Sequence, residues 1–287
     1  MNRNIGTQNK KNLLKSRRGI CICIFCFLSV FFFAMLIVYG TPVYNDSKQY
    51  MDMHVHREPV YPLFLWLTRL MAGEHSLLLA GIMQCILAIY ASYRFITYIL
   101  DNFYPSKVIT FRSGLIAGLL TLIVIIPYII TPLMSSTHVM LATGILSESL
   151  SMPFFLLFFI YSHKMLVKRD DGGHVMVRYI VAAWSLAFVL SLTRSQMIVT
   201  LIAWAILSTI SFITSFVGMK YGYGDSSKGV IKRKIGAFIS GIAAILLVLL
   251  ISIPVRTAVI KFYNHIFNER YVDNVYSNVT MLSNIFY

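Results

Sequence analysis

The sequence predicts an all-α fold: a polytopic transmembrane helical bundle of about seven spans, N-terminus cytoplasmic, with interfacial helices in the first outer loop. Three observations predict it. The chain is 57% hydrophobic and 13% charged, against about 25% charged in a soluble domain, and its mean hydropathy is +0.72. Apolar runs long enough to cross a hydrocarbon core of about 30 Å recur along it. The 25 Lys and Arg crowd into alternate connecting segments. A formal charge of +14 would suit a nucleic-acid partner only if the basic residues shared one soluble face. They lie between apolar runs instead, so nucleic acid is excluded and membrane lipid is the expected surrounding.

Met1–Arg18 carries six basic residues and no acid, and leads into the apolar run Gly19–Tyr39. A signal peptide would have an apolar region of about 7–15 residues followed by a small-residue cleavage site. Neither feature is present, so the run reads as an anchor. Further spans read as Ser76–Leu100, Ser113–Thr131, Ile145–Tyr161, Val177–Leu192, Met197–Val217 and Ile235–Ile253. With the N-terminus inside, the inner segments hold seventeen of the 25 basic residues and the outer segments seven, as the positive-inside rule expects. Pro59–Gly73 is apolar but too short to cross. Counting it as a span would put the basic loops outside, so it lies at the interface or re-enters. The organisation is therefore a basic segment 1–18, a membrane domain 19–255 with an outer loop 40–75, and an outer-face tail 256–287.

The first outer loop organises the rest. Tyr44–Pro62, YNDSKQYMDMHVHREPVYP, holds three of the eleven acids, Asp46, Asp52 and Glu58, with Lys48, His54, His56 and Arg57 among them. Closed by Pro59 and Pro62, it suggests short helices at the membrane face and the floor of a reaction site. Glu148 in GILSESLSMP and Arg194 in SLTRSQ fall on the same side by the span count. Each has a plain structural reading beside the functional one. Asp46 with Gln49 three residues on has capping-box spacing, Glu148 suits the first turn of a helix, and Arg194 at a span end can reach the last carbonyls. Their gathering on one side favours a polar cluster.

Cys21, Cys23, Cys26 and Cys85 lack zinc-ligand spacing and a polar shell, so they read as buried or lipid-facing thiols. His54 and His56 alternate without a further ligand motif and read as solvated loop residues, and His138 is equally uninformative. Asn45-Asp46-Ser47 and Asn278-Val279-Thr280 match the glycosylation acceptor pattern, which recurs by chance.

The first span, the acid soon after it, the run Arg57-Glu58-Pro59-Val60-Tyr61-Pro62-Leu63 and the Ser-Glu-Ser-Leu at the outer start of a later span together resemble the GT-C superfamily of integral membrane glycosyltransferases. The likeness is to the protein-mannosyltransferase-like and aminoarabinose-transferase-like bacterial members, and covers most of Met1–Arg256. It implies transfer of a sugar from a polyprenyl-phosphate carrier to a lipid, glycan or protein acceptor at the outer face of the cell membrane. Asp46 matches the first-loop catalytic acid. A single displacement needs one general base, and the departing phosphate needs cationic stabilisation. On that implication Asp46 is the base and Glu148 the helper that orients an arginine or the acceptor. Arg57 and Arg194 meet the phosphate, and Tyr61 belongs to the substrate-binding pattern. Some family members use a divalent metal at the acidic loop, which Asp46 and Glu148 could share.

The sequence also departs from the family. Asn45 and Ser47 flank Asp46 where a second acid is common, which leaves the metal open. The chain ends soon after its seventh expected span, where family members usually continue, so an incomplete transferase lacking acceptor-binding parts is the expectation. Three rival classes stand beside it. A transporter or flippase would place ionisable groups at mid-membrane, where only Gln84 and Arg94 interrupt the runs. A surface-polysaccharide polymerase would carry a large outer loop late in the chain. A non-catalytic scaffold would not need Asp46 at all.

Overall fold

The computed structural model describes residues 3–52, 58–103, 111–134, 142–167 and 173–197, with short helical stretches between 199 and 206 and between 254 and 266. Arg57, His54, His56, His138, most of Met197–Val217, all of Ile235–Ile253 and the tail beyond residue 266 lie outside the described residues, and with them the last two of the seven expected spans. The elements are α1 (Arg3–Tyr39), α2 (Asn45–Met51), α3 (Val60–Ala72), α4 (Ser76–Phe103), α5 (Phe111–Met134), α6 (Ser147–Val167) and α7 (Gly173–Thr193), with 3-10 turns at Gly73–His75 and Ser195–Met197. No strand occurs among the described residues.

Two stretches are long and apolar enough to cross a membrane, Gly19–Tyr39 and Val60–Asn102, and the apolar parts Gly114–Tyr128 and Arg178–Thr193 are shorter. The basic segment before Gly19 continues α1 back to Arg3 rather than standing apart. Its Leu, Lys and Gln residues are good helix formers and no proline interrupts them. Val60–Asn102 is one run of helix broken at Gly73, whose φ of +53° is the left-handed conformation that ends a helix and favours glycine. The break falls where the sequence ends the short apolar segment.

The chain divides into two compact units, Met1–Lys48 with Leu67–Leu156 and Gln49–Trp66 with Leu157–Tyr287. In the first, α1 buries Ile24, Leu28, Phe32 and Leu36, one residue every four, while Ile22, Val30 and Ile37 on its other sides are exposed, Ile37 by 83%. A helix apolar all round is either the core helix of a large protein or a membrane span. The buried stripe meets α4 running the opposite way. The Phe25 ring lies edge-on to Tyr93 with centroids 5.7 Å apart. Further along, the Cys85 thiol donates to the Phe32 carbonyl at 3.6 Å, and Gly81 lies against Leu36 and Thr41. As residue numbers rise along α1 they fall along α4. Ala80, Gly81, Ala88 and Ala91 on the α4 side are small and buried, which lets the backbones approach where packing rather than the hydrophobic effect drives association. By contrast α5 runs parallel to α1, with Phe32 edge-on to the buried Tyr128 at 5.0 Å and 89°. Such pairs contribute about 0.5–1.5 kcal/mol beyond burial.

Helix direction fixes which ends meet. The chain leaves α1 at Tyr39 and enters α4 at Ser76 at the same end of the first unit. Parallel α5 returns the chain to that end, from which α6 sets out.

In the second unit, the C-terminal half of α6 meets the start of α7 at one aromatic contact. Tyr161 and Tyr179 rings lie 6.2 Å apart, and Lys164 Nζ stands 5.5 Å from the first and 5.6 Å from the second. Two aromatic faces around one ammonium attract it through their quadrupoles.

Candidate functional site

At the Thr41 end of the first unit two loops are joined by a backbone hydrogen bond. The Ile145 amide donates to the Pro42 carbonyl at 3.1 Å. Ile145 is fully buried, so a missing partner there would leave an orphaned polar group at a cost of about 1–3 kcal/mol. The bond ties the segment feeding α2, with Asp46 in its first turn, to the segment feeding α6, with Glu148 in its first turn.

Each acid is set by hydroxyl neighbours. At the start of α2 the Tyr44 amide donates to Ser47 Oγ at 2.8 Å and the Ser47 amide donates to the Tyr44 carbonyl at 3.0 Å. The first bond is one half of a capping box, with Ser47 reaching back as the third-position side chain does, and the second is an ordinary backbone turn. Asp46 sits one residue earlier and its side chain is exposed. Sequence reasoning offered Asp46 and Gln49 for that pattern. The fully buried Ser47 side chain also reaches back, to the Tyr44 amide.

At the start of α6 the Ser147 hydroxyl donates to Glu148 Oε2 at 3.1 Å, and Ser149 Oγ donates to the Gly144 carbonyl at 2.8 Å. Glu148 itself is half-buried, whereas Ser147 and Ser149 are buried. Thr143, in the loop just before, is fully buried, and its hydroxyl has no hydrogen-bond partner among the described residues. The buried hydroxyl residues Ser47, Thr143 and Ser147 were not singled out from the sequence. The signal for the last two was the Ser/Thr density of TGILSESLS, a composition that also fits a plain helix start.

No family model, curated protein or solved structure matches the chain. The site must therefore be argued from its own residues.

The remaining sequence-predicted residues lie in the second unit or outside the described residues. Arg194 follows α7. Its amide donates to the Leu190 carbonyl at 3.1 Å, its carbonyl accepts from the Met197 amide at 2.9 Å, and its side chain is half-buried. Tyr61 in the first turn of α3 is fully buried, its ring edge-on to Tyr50 at 5.0 Å and 81° and tilted against Phe64 at 5.9 Å. Arg57 is outside the described residues. Among the described residues no group of three His, Cys, Asp or Glu side chains is placed to hold a metal ion.

Proposed function

We propose that the chain is a multi-pass cell-membrane glycosyltransferase of the GT-C type, moving a sugar from a polyprenyl-phosphate carrier to an acceptor hydroxyl at the outer face. The observation that carries the reading is the Pro42–Ile145 hydrogen bond, which joins the two acid-bearing helix starts at one end of one unit. Two acids arriving by separate elements at one end are what a reaction site needs and what a simple anchor does not.

In the proposed step Asp46 removes the acceptor hydroxyl proton, the freed oxygen attacks the anomeric carbon, and the carbon–oxygen bond to the carrier breaks. Its electron pair leaves on the phosphate. Glu148, hydrogen-bonded by Ser147, orients the acceptor. Arg57 and Arg194 supply guanidinium donors for the departing phosphate, where a planar fork matches two oxygens. Tyr61 belongs to the substrate-binding set with the two arginines. Topology enters the proposal too: the Gly19 end of α1 is cytoplasmic because the basic residues gather there.

The test is consumption of radiolabelled polyprenyl-phosphate sugars by the purified chain in liposomes, wild type against Asp46→Asn. Turnover of at least one sugar by wild type and none by the variant is the expected result. Equal turnover by both, or none by wild type across the donor series, overturns the reading.

A further inference from the structure

Opposite the acid-bearing end, an apolar groove of about 710 Å³ opens between α1 and α5, lined by Gly19, Cys23 and Phe27 on one helix and Gly114, Gly118 and Thr121 on the other. Its polar atom is already engaged, because the Thr121 hydroxyl donates to the Ala117 carbonyl at 2.7 Å. The glycines make it a real opening. A Cβ built on Gly19, Gly114 or Gly118 would meet nothing within 4 Å.

We propose that this groove holds one anionic phospholipid, acyl chains between α1 and α5 and headgroup at the end where both helices begin. Length is the first argument. Gly19 to Phe27 and Gly114 to Leu122 each rise about 12 Å along a helix axis, close to the roughly 15 Å that one leaflet contributes to the hydrocarbon core. Charge is the second. Lys15, Arg17 and Arg18 directly precede the groove on α1, and Arg112 precedes it on α5. Both helices that wall the groove thus carry basic residues in the turn before it, and basic flanks on an inter-helix pocket suit an anionic headgroup. A second copy docking through the same Gly114–Gly118 face would bring two such basic flanks together, so charge favours the lipid over a helix. The inference rests on membrane embedding and not on the transferase reading, so loss of one leaves the other standing.

The test uses the full chain purified in neutral detergent after incubation with mixed phosphatidylglycerol and phosphatidylcholine vesicles, with bound lipid counted by native mass spectrometry. Wild type should retain phosphatidylglycerol over phosphatidylcholine. Gly118→Phe should lose it, and an Arg17→Gln/Arg18→Gln/Arg112→Gln variant should lose the preference by about fivefold per charge removed. If Gly118→Phe does not fold, maleimide labelling of Cys23 in a Cys21→Ser/Cys26→Ser background decides instead, because Cys23 lines the groove and Cys85 is buried. Labelling should be slower in phosphatidylglycerol than in phosphatidylcholine nanodiscs. Equal retention of both lipids by wild type, unchanged retention by a folded Gly118→Phe, equal labelling rates, or a dimer that Gly118→Phe dissociates would each overturn it.

Discussion

Ile145 and Pro42 are joined by a 3.1 Å backbone hydrogen bond although about a hundred residues separate them. Span counting places both at the outer face, yet it cannot say that they touch. The contact follows from direction: α1 and α5 run parallel and α4 antiparallel, so the exits of α1 and α5 share one end. Both loops there bring a carboxylate in the first turn of the next helix.

Asp46→Asn is expected to abolish transfer with abundance unchanged. The amide keeps the size of the carboxylate but accepts no proton at neutral pH, and loss of a general base typically costs about 10²–10⁴-fold. Little structural loss is expected, since asparagine keeps the side-chain size and capping ability and Tyr44 and Ser47 hold the start of α2 with two further bonds. Single-turnover assay with a lipid-linked donor, alongside membrane abundance, measures both. A variant keeping more than about half its activity leaves Asp46 as a helix-start residue only.

Ser147→Ala removes the hydroxyl that donates to Glu148 Oε2. A hydrogen bond to a charged group is worth about 1.5 kcal/mol or somewhat more, equivalent to roughly tenfold. Glu148 is half-buried, and solvent screening brings the expected fall in kcat below that, with Ser147→Thr restoring it. Wild-type kcat in the alanine variant would separate Ser147 from the chemistry.

How much of this was legible in the sequence depended on which force decides each feature. Long apolar runs and the Gly73 break were readable because hydrocarbon thickness and a left-handed glycine act locally. At the start of α2 the sequence pointed to Asp46 and Gln49, and the buried Ser47 adds a bond of its own. Asn45, Asp46 and Ser47 are all good capping residues, and only three-dimensional reach chooses among them. Thr143 was not readable at all. Its burial depends on how the loop before α6 packs, which no local pattern encodes. The groove between α1 and α5 was equally hidden, since Gly114 and Gly118 look the same whether a helix covers them or not.

Gly81→Leu should destabilise the first unit, because a Cβ at that position would stand 2.5 Å from Thr41 Cγ2 and 3.0 Å from Leu36 Cδ1. Both neighbours belong to the exit of α1, so relief means moving α1 and α4 apart. Overpacking of this kind costs about 1–3 kcal/mol. Gly118→Leu, facing open space, should cost nothing and gain helix propensity of up to about 1 kcal/mol. Thermal unfolding in one detergent compares them. Equal midpoints would show that α1 and α4 do not pack closely at Gly81.

Arg194→Lys should raise the donor KM or lower kcat although charge is kept, since an ammonium cannot form the planar two-bond fork with phosphate. The backbone of Arg194 sits between α7 and the following turn with both its amide and carbonyl bonded, so the substitution leaves the local chain path unchanged. Arg57→Lys supplies the parallel test in the first loop. Unchanged KM and kcat in both variants would take the arginines out of the site.

Sidedness can be tested from α4 alone. Glu74 at its entrance and Asp101 near its end are both exposed, and α4 runs antiparallel to α1, so the two positions lie at opposite ends of the first unit. Lys48, also exposed, follows the exit of α1 at the Glu74 end. In intact cells a membrane-impermeant maleimide should label Lys48→Cys and Glu74→Cys, and should reach Asp101→Cys only after permeabilisation. The native thiols give little background: Cys85 is buried, and Cys21, Cys23 and Cys26 lie within the apolar stretch of α1. Labelling of Glu74→Cys and Asp101→Cys from the same side would mean that α4 does not cross, and the transmembrane reading of the bundle would fall with it. Labelling of Asp101→Cys alone in intact cells would keep the bundle but invert it, moving both acids to the cytoplasmic face, where a nucleotide-linked donor rather than a lipid-linked one would have to be considered.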